Sequence, residues 1–356
     1  GTLNTSAGPV SMATNGQQIC IADGDAYVYT ISSAAFAQIT DPDFPGASTV
    51  TYMDGYGIFS QPNSQQFFIT SLLDFTTVDA LDFASAESQP DLLKRVFADH
   101  SELWLFGEKS IEVWQNTGAA DFPFERLGGT RAERGCGATF SVAKCDNTVF
   151  WLGDDGIIYR AEGYQPIRIS TESVELSISQ MGIFSDAEGF SYDIDGHKFY
   201  VLSFPVGGTT WVYDVATQLW HAIQSDGGQW RAKWAVQIGN GRYCGDSISG
   251  NIGLLSLDTL TEYGNYISQT HVFPAIHSGM EAISNSKLQI DFETGVGLNS
   301  GQGSIPSVLL DWSDDGGHTW SNSIEGELGA IGSYSASVIF RRLGTFKSRW
   351  YRIRKS

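Results

Sequence analysis

Cysteine is scarce in this sequence, and the residues present follow no ligand or disulfide pattern. Cys20, Cys136, Cys145 and Cys244 are far apart, with no C-x-x-C pair and no nearby histidine cluster. A structural zinc site needs closely spaced ligands, and a disulfide framework is typical of short, cysteine-dense secreted chains. We therefore expect four buried thiols that pack as small apolar side chains.

Long apolar runs and an export leader are also absent. No stretch of about 18 apolar residues occurs, so the sequence predicts no membrane-spanning helix. No basic segment followed by an apolar one opens the chain, which argues against Sec-dependent export. The first residue is Gly1 and not methionine, so we expect either a fragment of a longer protein or a tag-cleaved product.

Basic residues are few relative to acidic ones. The sequence has 21 Lys and Arg against 40 Asp and Glu, a net charge of −19 at pH 7. Nucleic-acid binding through phosphate neutralisation is therefore disfavoured. The basic residues are unevenly placed, because residues 341–356 hold seven of them and no acid. This basic end predicts contact with a charged partner or with another copy of the chain; the alternative is a solvated final strand.

Catalytic and metal-binding signatures are missing as well. The sequence has no G-x-S-x-G, no P-loop and no G-x-G-x-x-G after a strand. Its six histidines lack H-E-x-x-H spacing, and the Asp-rich segments 41–43, 153–157 and 193–197 do not continue into a calcium loop. We predict no catalytic residue, no metal site and no cofactor.

What the sequence does have is a repeated strand pattern rich in turns. It contains 40 glycines and 13% aromatic residues, which favours many short strands and tight turns. Six segments share one plan, an apolar strand, a turn and a second alternating strand. The first turns lie near Asn15, Asp54, Asp99, Asp146, Asp195 and Asn240. Successive first turns are about 40–49 residues apart, a spacing that is typical of β-propeller blades.

This pattern predicts an all-β protein with two domains. We expect a β-propeller over residues 1–264, with six visible blade-like units, or seven in the full-length protein. Residues 265–356 predict a small C-terminal β-sandwich of about five strands with a basic final hairpin. Five tryptophans on the propeller strands are expected to wedge between blades. They are Trp104, Trp114, Trp151, Trp211 and Trp220.

One motif suggests a different function. SDDGGHTW (313–320) matches the Asp box S-x-D-x-G-x-T-W, best known from sialidases and related propeller glycosidases. Those enzymes repeat the box in several blades, away from the active site, whereas this chain has one copy, placed after the propeller. We therefore predict a structural turn. Its residues are Ser313, Asp315, Gly317, Thr319 and Trp320. A propeller glycosidase is the alternative function, and a carbohydrate-binding tail module using exposed aromatic residues and the loop 297–306 is another.

Several short segments carry a further signal. They include AESQPD (86–91) and SIEVWQNTG (110–118), followed by WVYDVATQLWH (211–221) and YCGDSISGNIGLL (243–255). Together with GPVSMATNGQQ (8–18) and the basic end, they resemble the packaged DNA stabilisation proteins of short-tailed, podovirus-type bacteriophages. Those proteins are tail hub or nozzle components, also called tail accessory factors.

The resemblance implies a structural virion protein without catalysis. It would form a homo-oligomeric ring, usually a hexamer, below the portal and its adaptor, and would anchor tailspikes, fibres or a needle. Packaged DNA would be retained and would pass through the channel without specific binding. The protein would be assembled in the host bacterial cytoplasm, touch no membrane, and lack here the N-terminal part of its family, including one blade or a ring-closing strand. The basic residues interpreted as a subunit-interface strand are Arg341, Arg342, Arg349, Arg352, Arg354 and Lys355.

Overall fold

The computed structural model describes residues 2–5, 8–87, 89–301 and 303–355. Two segments singled out in the sequence include residues outside these ranges, namely Ser88 in AESQPD and Gln302 in the loop 297–306. The chain divides into two compact units, Gly1–Leu255 and Ser256–Ser356. The predicted boundary after residue 264 falls between two short strands of the second unit.

Six antiparallel sheets follow one another along the first unit, and we name them blades 1 to 6. Blade 1 contains β1 (Ser11–Thr14), β2 (Gln18–Ala22), β3 (Ala26–Thr30) and β4 (Ala35–Gln38). Blade 2 contains β5 (Thr49–Met53), β6 (Tyr56–Ser60), β7 (Gln66–Thr70) and β8 (Val78–Ser85). Blade 3 contains β9 (Leu93–Asp99), β10 (Glu102–Gly107), β11 (Ile111–Asn116) and β12 (Phe124–Arg126).

The remaining blades differ in strand number. Blade 4 contains β13 (Ala143–Cys145), β14 (Thr148–Leu152), β15 (Ile158–Glu162) and β16 (Gln165–Arg168). Blade 5 contains β17 (Glu188–Ile194), β18 (His197–Phe204), β19 (Thr209–Asp214), β20 (Leu219–Ser225) and β21 (Gly228–Gln229). Blade 6 contains β22 (Ala232–Ile238), β23 (Gly241–Asp246) and β24 (Ile252–Leu255). One α-helix, α1 (Glu172–Met181), lies between blades 4 and 5.

The first turn of each blade shows why its strands pair. Asp54, Asp146 and Asp195 have φ of 51°, 45° and 51°, the left-handed conformation that a two-residue hairpin turn requires. In blade 3 the left-handed residues are His100 and Ser101, directly after the predicted Asp99. The turn positions follow from the chemistry of Asn, Asp and Gly, which tolerate this conformation best.

Consecutive blades pack face to face through apolar clusters. Five clusters join blades 1 and 2, 2 and 3, 3 and 4, 4 and 5, and 5 and 6 among the described residues. Trp104 and Trp151 lie in the cluster between blades 3 and 4, and Trp114 packs between blades 2 and 3. Trp211 and Trp220 pack between blades 4 and 5. The predicted position of the tryptophans between blades is confirmed.

The second unit is a β-sandwich with strands shorter and more numerous than predicted. Its first strands are β25 (Thr261–Glu262), β26 (Asn265–Tyr266), β27 (Gln269–Val272), β28 (Ile276–His277), β29 (Ile283–Ser284) and β30 (Lys287–Ile290). Its last strands are β31 (Ser307–Ser313), β32 (Ile324–Glu327), β33 (Val338–Arg341), β34 (Thr345–Phe346) and β35 (Ser348–Lys355). The main sheet has the order β27-β35-β31-β32, while β30 pairs with β33 and β29 with β34. The all-β class is confirmed.

The final strand differs from the predicted hairpin. In the described residues β35 pairs with β27, β28 and β31, and neither β33 nor β34 is its hydrogen-bonded neighbour. Phe340 of β33 and Tyr351 of β35 belong to one apolar cluster. Between β33 and β35 the chain therefore crosses the apolar core instead of forming a hairpin within one sheet. Each of these two strands has an apolar face that is buried in that core.

Candidate functional site

The Asp box is a closed hydrogen-bonded turn in the sandwich. Asp315 accepts bonds from the Thr319 amide at 2.9 Å and from the Thr319 hydroxyl at 2.6 Å, one on each carboxylate oxygen. The Ser313 hydroxyl donates to Asp315 at 2.7 Å and accepts from the Gly317 amide at 2.8 Å. Gly317 has φ of 92°, which favours glycine.

These bonds determine the charge of the turn. The hydroxyl and amide of Thr319, followed by the Ser313 hydroxyl, lower the pKa of Asp315 below its usual range. Hydrogen bonds to the charged form favour that form. Asp315 is therefore an ionised turn carboxylate, the opposite of the raised pKa that a glycosidase needs in its general acid.

The final strand, β35, carries arginines that are paired inside the sandwich. Arg352 donates from Nε and Nη2 to the two oxygens of Asp311, both at 2.8 Å, and Arg354 adds a bond of 2.8 Å. Only 1% of the Asp311 side chain is exposed. Burial by itself would raise the pKa of Asp311, but the hydrogen bond and charge of Arg352, followed by Arg354, lower it. The carboxylate is thus a buried anion held by two cations.

Arg349 is the most buried of these arginines. Its side chain is 3% exposed and binds Asp314 through Nε at 2.6 Å and Nη2 at 2.8 Å. The guanidinium carbon lies 4.2 Å from the ring centroid of Phe346 and 5.0 Å from that of Trp312. Burial by itself would lower the pKa of Arg349, but the hydrogen bonds to Asp314 raise the pKa overall. This residue is a structural cation that stacks among aromatic rings.

The Asp box and the final strand meet in one place. The guanidinium carbon of Arg352 lies 3.9 Å from the ring centroid of Trp320, the last residue of the box. We name the combined group the arginine–aspartate cluster. It consists of Asp311, Asp314, Trp320, Arg349, Arg352 and Arg354. Two features that are separate in the sequence are therefore one structural unit.

Sequence reasoning missed the two acidic members of this cluster. Asp311 lies within the apolar strand VLLDWS, and a buried acid needs a cationic partner. The segments 126–134 and 349–354 each carry three arginines, so the sequence offers arginine partners for Asp311 without deciding between them. The pairing of Asp314 with Arg349 could not be predicted from the sequence, because Asp314 is exposed and belongs to a turn motif.

The other predicted interface residues are free of such pairing. Arg341, Arg342 and Lys355 are exposed, and the described residues provide no ion pair for them. Arg341 lies directly opposite Lys287 across β33 and β30. Like charges at opposite positions destabilise a sheet pair. We name Lys287, Arg341 and Arg342 the basic patch.

In the propeller, charged residues connect the first turns of neighbouring blades. Lys144 of blade 4 pairs with Asp99 of blade 3, and Lys198 of blade 5 lies 2.8 Å from Asp146 of blade 4. Arg242 of blade 6 lies 3.5 Å from Asp193 of blade 5. Lys144, Asp146, Lys198 and Arg242 line a concavity of about 350 Å³. Because their charges face each other, the concavity offers no unpaired set of carboxylates or arginines.

The described ranges hold neither a metal-ligating cluster nor a membrane-spanning helix. Within them, no three or more His, Cys, Asp or Glu side chains gather in a group able to hold a metal ion. No helix in the same ranges is long and apolar enough to span a bilayer. The four cysteines are buried, as their spacing predicts.

Three solved structures illustrate a distant resemblance to the chain. The computationally designed Ika8 protein has a TM-score of 0.42 at 13% identity, covering 69% of this chain and 70% of its own. Hsv2 of Kluyveromyces lactis has a TM-score of 0.41 at 8% identity, covering 67% and 69%. BamB of Moraxella catarrhalis has a TM-score of 0.40 at 10% identity, covering 72% and 84%. No curated protein matches the chain.

Family models give a much more specific result. The model described as the β-propeller of bacteriophage P22 Gp10 matches residues 1–260. The model described as the β-sandwich of bacteriophage P22 Gp10 matches residues 271–356. Both domains occur in the order and with the architecture found here, and they indicate a structural protein of the phage tail. The chain belongs to the family of bacteriophage P22 Gp10.

Proposed function

We propose that this protein is the tail hub or nozzle of a short-tailed phage and acts without catalysis. It continues the DNA channel below the portal and its adaptor, retains packaged DNA and anchors tailspikes, fibres or a needle. The observation that carries this proposal is the consecutive match of residues 1–260 and 271–356 to the two domains of one phage tail protein. The engagement of both Asp315 oxygens in a turn supports a structural role for the Asp box.

Charge distribution supports passage of DNA without specific binding. Residues 1–93 contain ten Asp and Glu and no Lys, Arg or His. Blades 1 and 2 lie in this segment, so their side chains repel phosphates and release no counterions on contact with DNA. An acidic wall of this kind lets a duplex slide.

We also propose that copies of the chain form a ring, a hexamer in the virion, with the basic patch as one contact. Of the six basic residues predicted at the interface, Arg349, Arg352 and Arg354 already have partners within the sandwich. The contact therefore uses Arg341 and Arg342 together with Lys287, and the acidic blades 1 and 2 of a neighbour provide complementary charge.

DNA retention by particles tests the proposed function. Particles assembled without this protein should leave their DNA accessible to nuclease, and adding the purified protein should restore protection. Particles that keep their DNA equally well without it would contradict the hub role. Tight binding of duplex DNA by the purified protein at moderate salt would contradict the acidic-wall argument.

A charge-reversed sandwich tests the basic patch. The variant Arg341→Glu with Arg342→Glu should self-associate more weakly than the unchanged protein. Lys347→Glu, an exposed lysine outside the patch, is the matched control. Equal association of all three proteins would show that the patch is a solvated surface.

A further inference from the structure

Blade 2 has a groove along its outer edge. The groove encloses about 350 Å³ between the loop that follows β4 and the edge strand β8. Asp43 and Asp79 are among its lining residues. The apolar part of the lining is mainly aromatic side chains and prolines. It consists of Pro42, Phe44, Pro45, Phe68, Val78 and Phe83. We name this feature the blade 2 groove.

The lining of the blade 2 groove is held in place by the surrounding structure. Phe44 packs edge-on against Phe68, with the ring centroids 5.6 Å apart. The carboxylate of Asp41 accepts a hydrogen bond of 2.9 Å from the Asp43 amide and one of 3.3 Å from the Val78 amide. The loop and the edge strand are therefore joined, and a ligand meets a groove that is already formed, which lowers the entropic cost of binding.

The edge strand bulges outward beside the groove. Val78 lies opposite Thr70, and Phe83 lies opposite Phe68. The segment 79–82 therefore stands against a single residue of β7. Bulges of this kind redirect side chains. In this one Phe83 remains 45% exposed and contributes an accessible aromatic ring to the groove.

The carboxylates at the groove have no cationic partner. Residues 1–93 contain no Lys, Arg or His, and none of Asp43, Asp79 and Asp82 forms an ion pair with any described residue. Burial, followed by the charge of Asp79, raises the pKa of Asp82 above its usual range. A cation bound beside these two carboxylates removes their repulsion.

An arginine side chain matches this combination of aromatic rings and carboxylates. A guanidinium is planar, stacks on aromatic faces and donates two parallel hydrogen bonds to one carboxylate. A lysine provides a point charge without the planar face. A calcium ion takes oxygen ligands only and would leave the aromatic lining unused. The volume of the groove exceeds a single ion and suits a side chain with its flanking residues.

The exposed arginines of this chain are poorly placed to enter such a groove. Arg341 lies on β33, whose ladder with β30 is complete at this position. The amides of Arg342 and Leu343 donate to the carbonyls of Ser286 and Asn285 at 3.0 and 3.1 Å. The backbone of this segment is therefore fixed within the sandwich, whereas the groove requires a segment that can extend along a bulged edge.

We propose that the blade 2 groove binds an extended, arginine-bearing segment of a partner protein. The guanidinium stacks on the ring of Phe83 and donates hydrogen bonds to Asp43 or Asp79. The inference goes beyond the hub role and does not depend on it, because it assigns to the propeller a docking site that the isolated chain carries.

Binding of a short peptide tests the chemistry of the groove. The probe is the fluorescein-labelled peptide Ser-Ile-Arg-Ile-Arg-Ser, measured by fluorescence anisotropy against the full chain. A peptide with citrulline in place of arginine keeps the shape and loses the charge, and it should bind about tenfold more weakly, the loss expected for a charge-assisted hydrogen bond. A peptide with lysine in place of arginine should also bind several-fold more weakly. Equal binding of the three peptides would overturn the proposal.

Two double variants locate the binding on the chain. Asp43→Asn with Asp79→Asn should weaken binding of the arginine peptide about tenfold. Asp54→Asn with Glu87→Gln removes the same charge from exposed positions of the same acidic segment, outside the groove, and is the control. Equal losses in the two double variants would show attraction by the overall acidic charge and would overturn the proposed site.

A third variant tests the aromatic ring. Phe83→Leu keeps an apolar side chain and removes the aromatic face, so the arginine peptide should bind several-fold more weakly. Phe36→Leu is the control, because Phe36 lies on the edge strand of blade 1 and does not line the groove. Unchanged binding in Phe83→Leu would contradict the stacking of arginine on this ring.

Self-association of the variants separates a partner protein from a second copy. The Asp43→Asn, Asp79→Asn variant should sediment like the unchanged chain. A loss of self-association equal to that of Arg341→Glu with Arg342→Glu would make a second copy the occupant and overturn the proposed partner. None of these results bears on the hub role, which is measured by DNA retention in particles.

Discussion

Replacing Asp311 by asparagine removes the anion at the centre of the arginine–aspartate cluster. The carboxylate is 1% exposed and takes three hydrogen bonds of 2.8 Å from Arg352 and Arg354. Breaking a buried ion pair from one side costs about 3–5 kcal/mol. Arg352 and Arg354 remain 22% and 39% exposed, so water compensates in part and we expect about 3 kcal/mol, the low end of that range.

The same variant has a defined pH signature. Because the pKa of Asp311 is lowered in the folded state, its contribution is complete above the pKa of the unfolded chain, about 3.9. That contribution is lost as pH falls through the lower folded pKa. The stability gap between the unchanged protein and Asp311→Asn should therefore be smaller at pH 3 than at pH 7.

Urea unfolding followed by fluorine NMR of 5-fluorotryptophan-labelled protein measures this gap within the sandwich. Trp312 and Trp320 belong to the second unit and report on it separately from the propeller. Asp291→Asn is the matched control, since Asp291 is exposed and accepts a long bond of 3.3 Å from Gln289. A loss of unfolding free energy no larger than that caused by Asp291→Asn would refute the reasoning. A loss that is the same at pH 7 and at pH 3 would refute it as well.

Three further predictions concern the propeller. Trp151→Ala should destabilise the propeller by about 3–5 kcal/mol in urea unfolding followed by circular dichroism, because Trp151 is 1% exposed between two blades. Trp234→Ala is the control, since Trp234 is 41% exposed, and similar losses of stability in both variants would contradict the prediction. Burial raises the pKa of Cys20 and Cys145 to about 12, so Ellman's reagent should label no thiol of the folded chain and four after unfolding; fast labelling before unfolding would disagree. The imidazole of His100 donates hydrogen bonds to Asn147 Oδ1 and to Asp99, and these bonds raise the pKa of His100 above 6.5. Asn147→Ala should therefore lower the His100 pKa in an NMR titration, and an unchanged value would contradict that role.

Local chemistry explains why the blades could be predicted. Each blade is built from neighbouring strands joined by short turns, and a turn is set by two or three residues such as Asp54 and Gly55. The period of the repeat then follows from counting those turns. Trp104 and Trp151 could be placed between blades because large apolar side chains on strands of stacked sheets have few other places to lie.

The sandwich was less predictable because its pairings are long-range. The strand SRWYRIRK alternates apolar and basic residues, the pattern of an edge strand with one solvated side. In the structure it lies between β27 and β31, and Arg352 meets Asp311 across 41 positions of sequence. No local signal encodes that partner. The basic residues of segment 341–356 therefore divide into the structural cations of β35 and the exposed Arg341 and Arg342, and only the fold distinguishes the two groups.

Salt dependence tests the proposed contact between copies through the basic patch. A contact between the basic patch and acidic blades gains from attraction across water, which added salt screens with a Debye length of about 8 Å at 0.15 M. Self-association that persists in high salt would show that the ring does not depend on the basic patch. Self-association that disappears with salt in the unchanged protein would assign it to Arg341, Arg342 and Lys287, because no other free cluster of basic side chains lies in the described part of the sandwich.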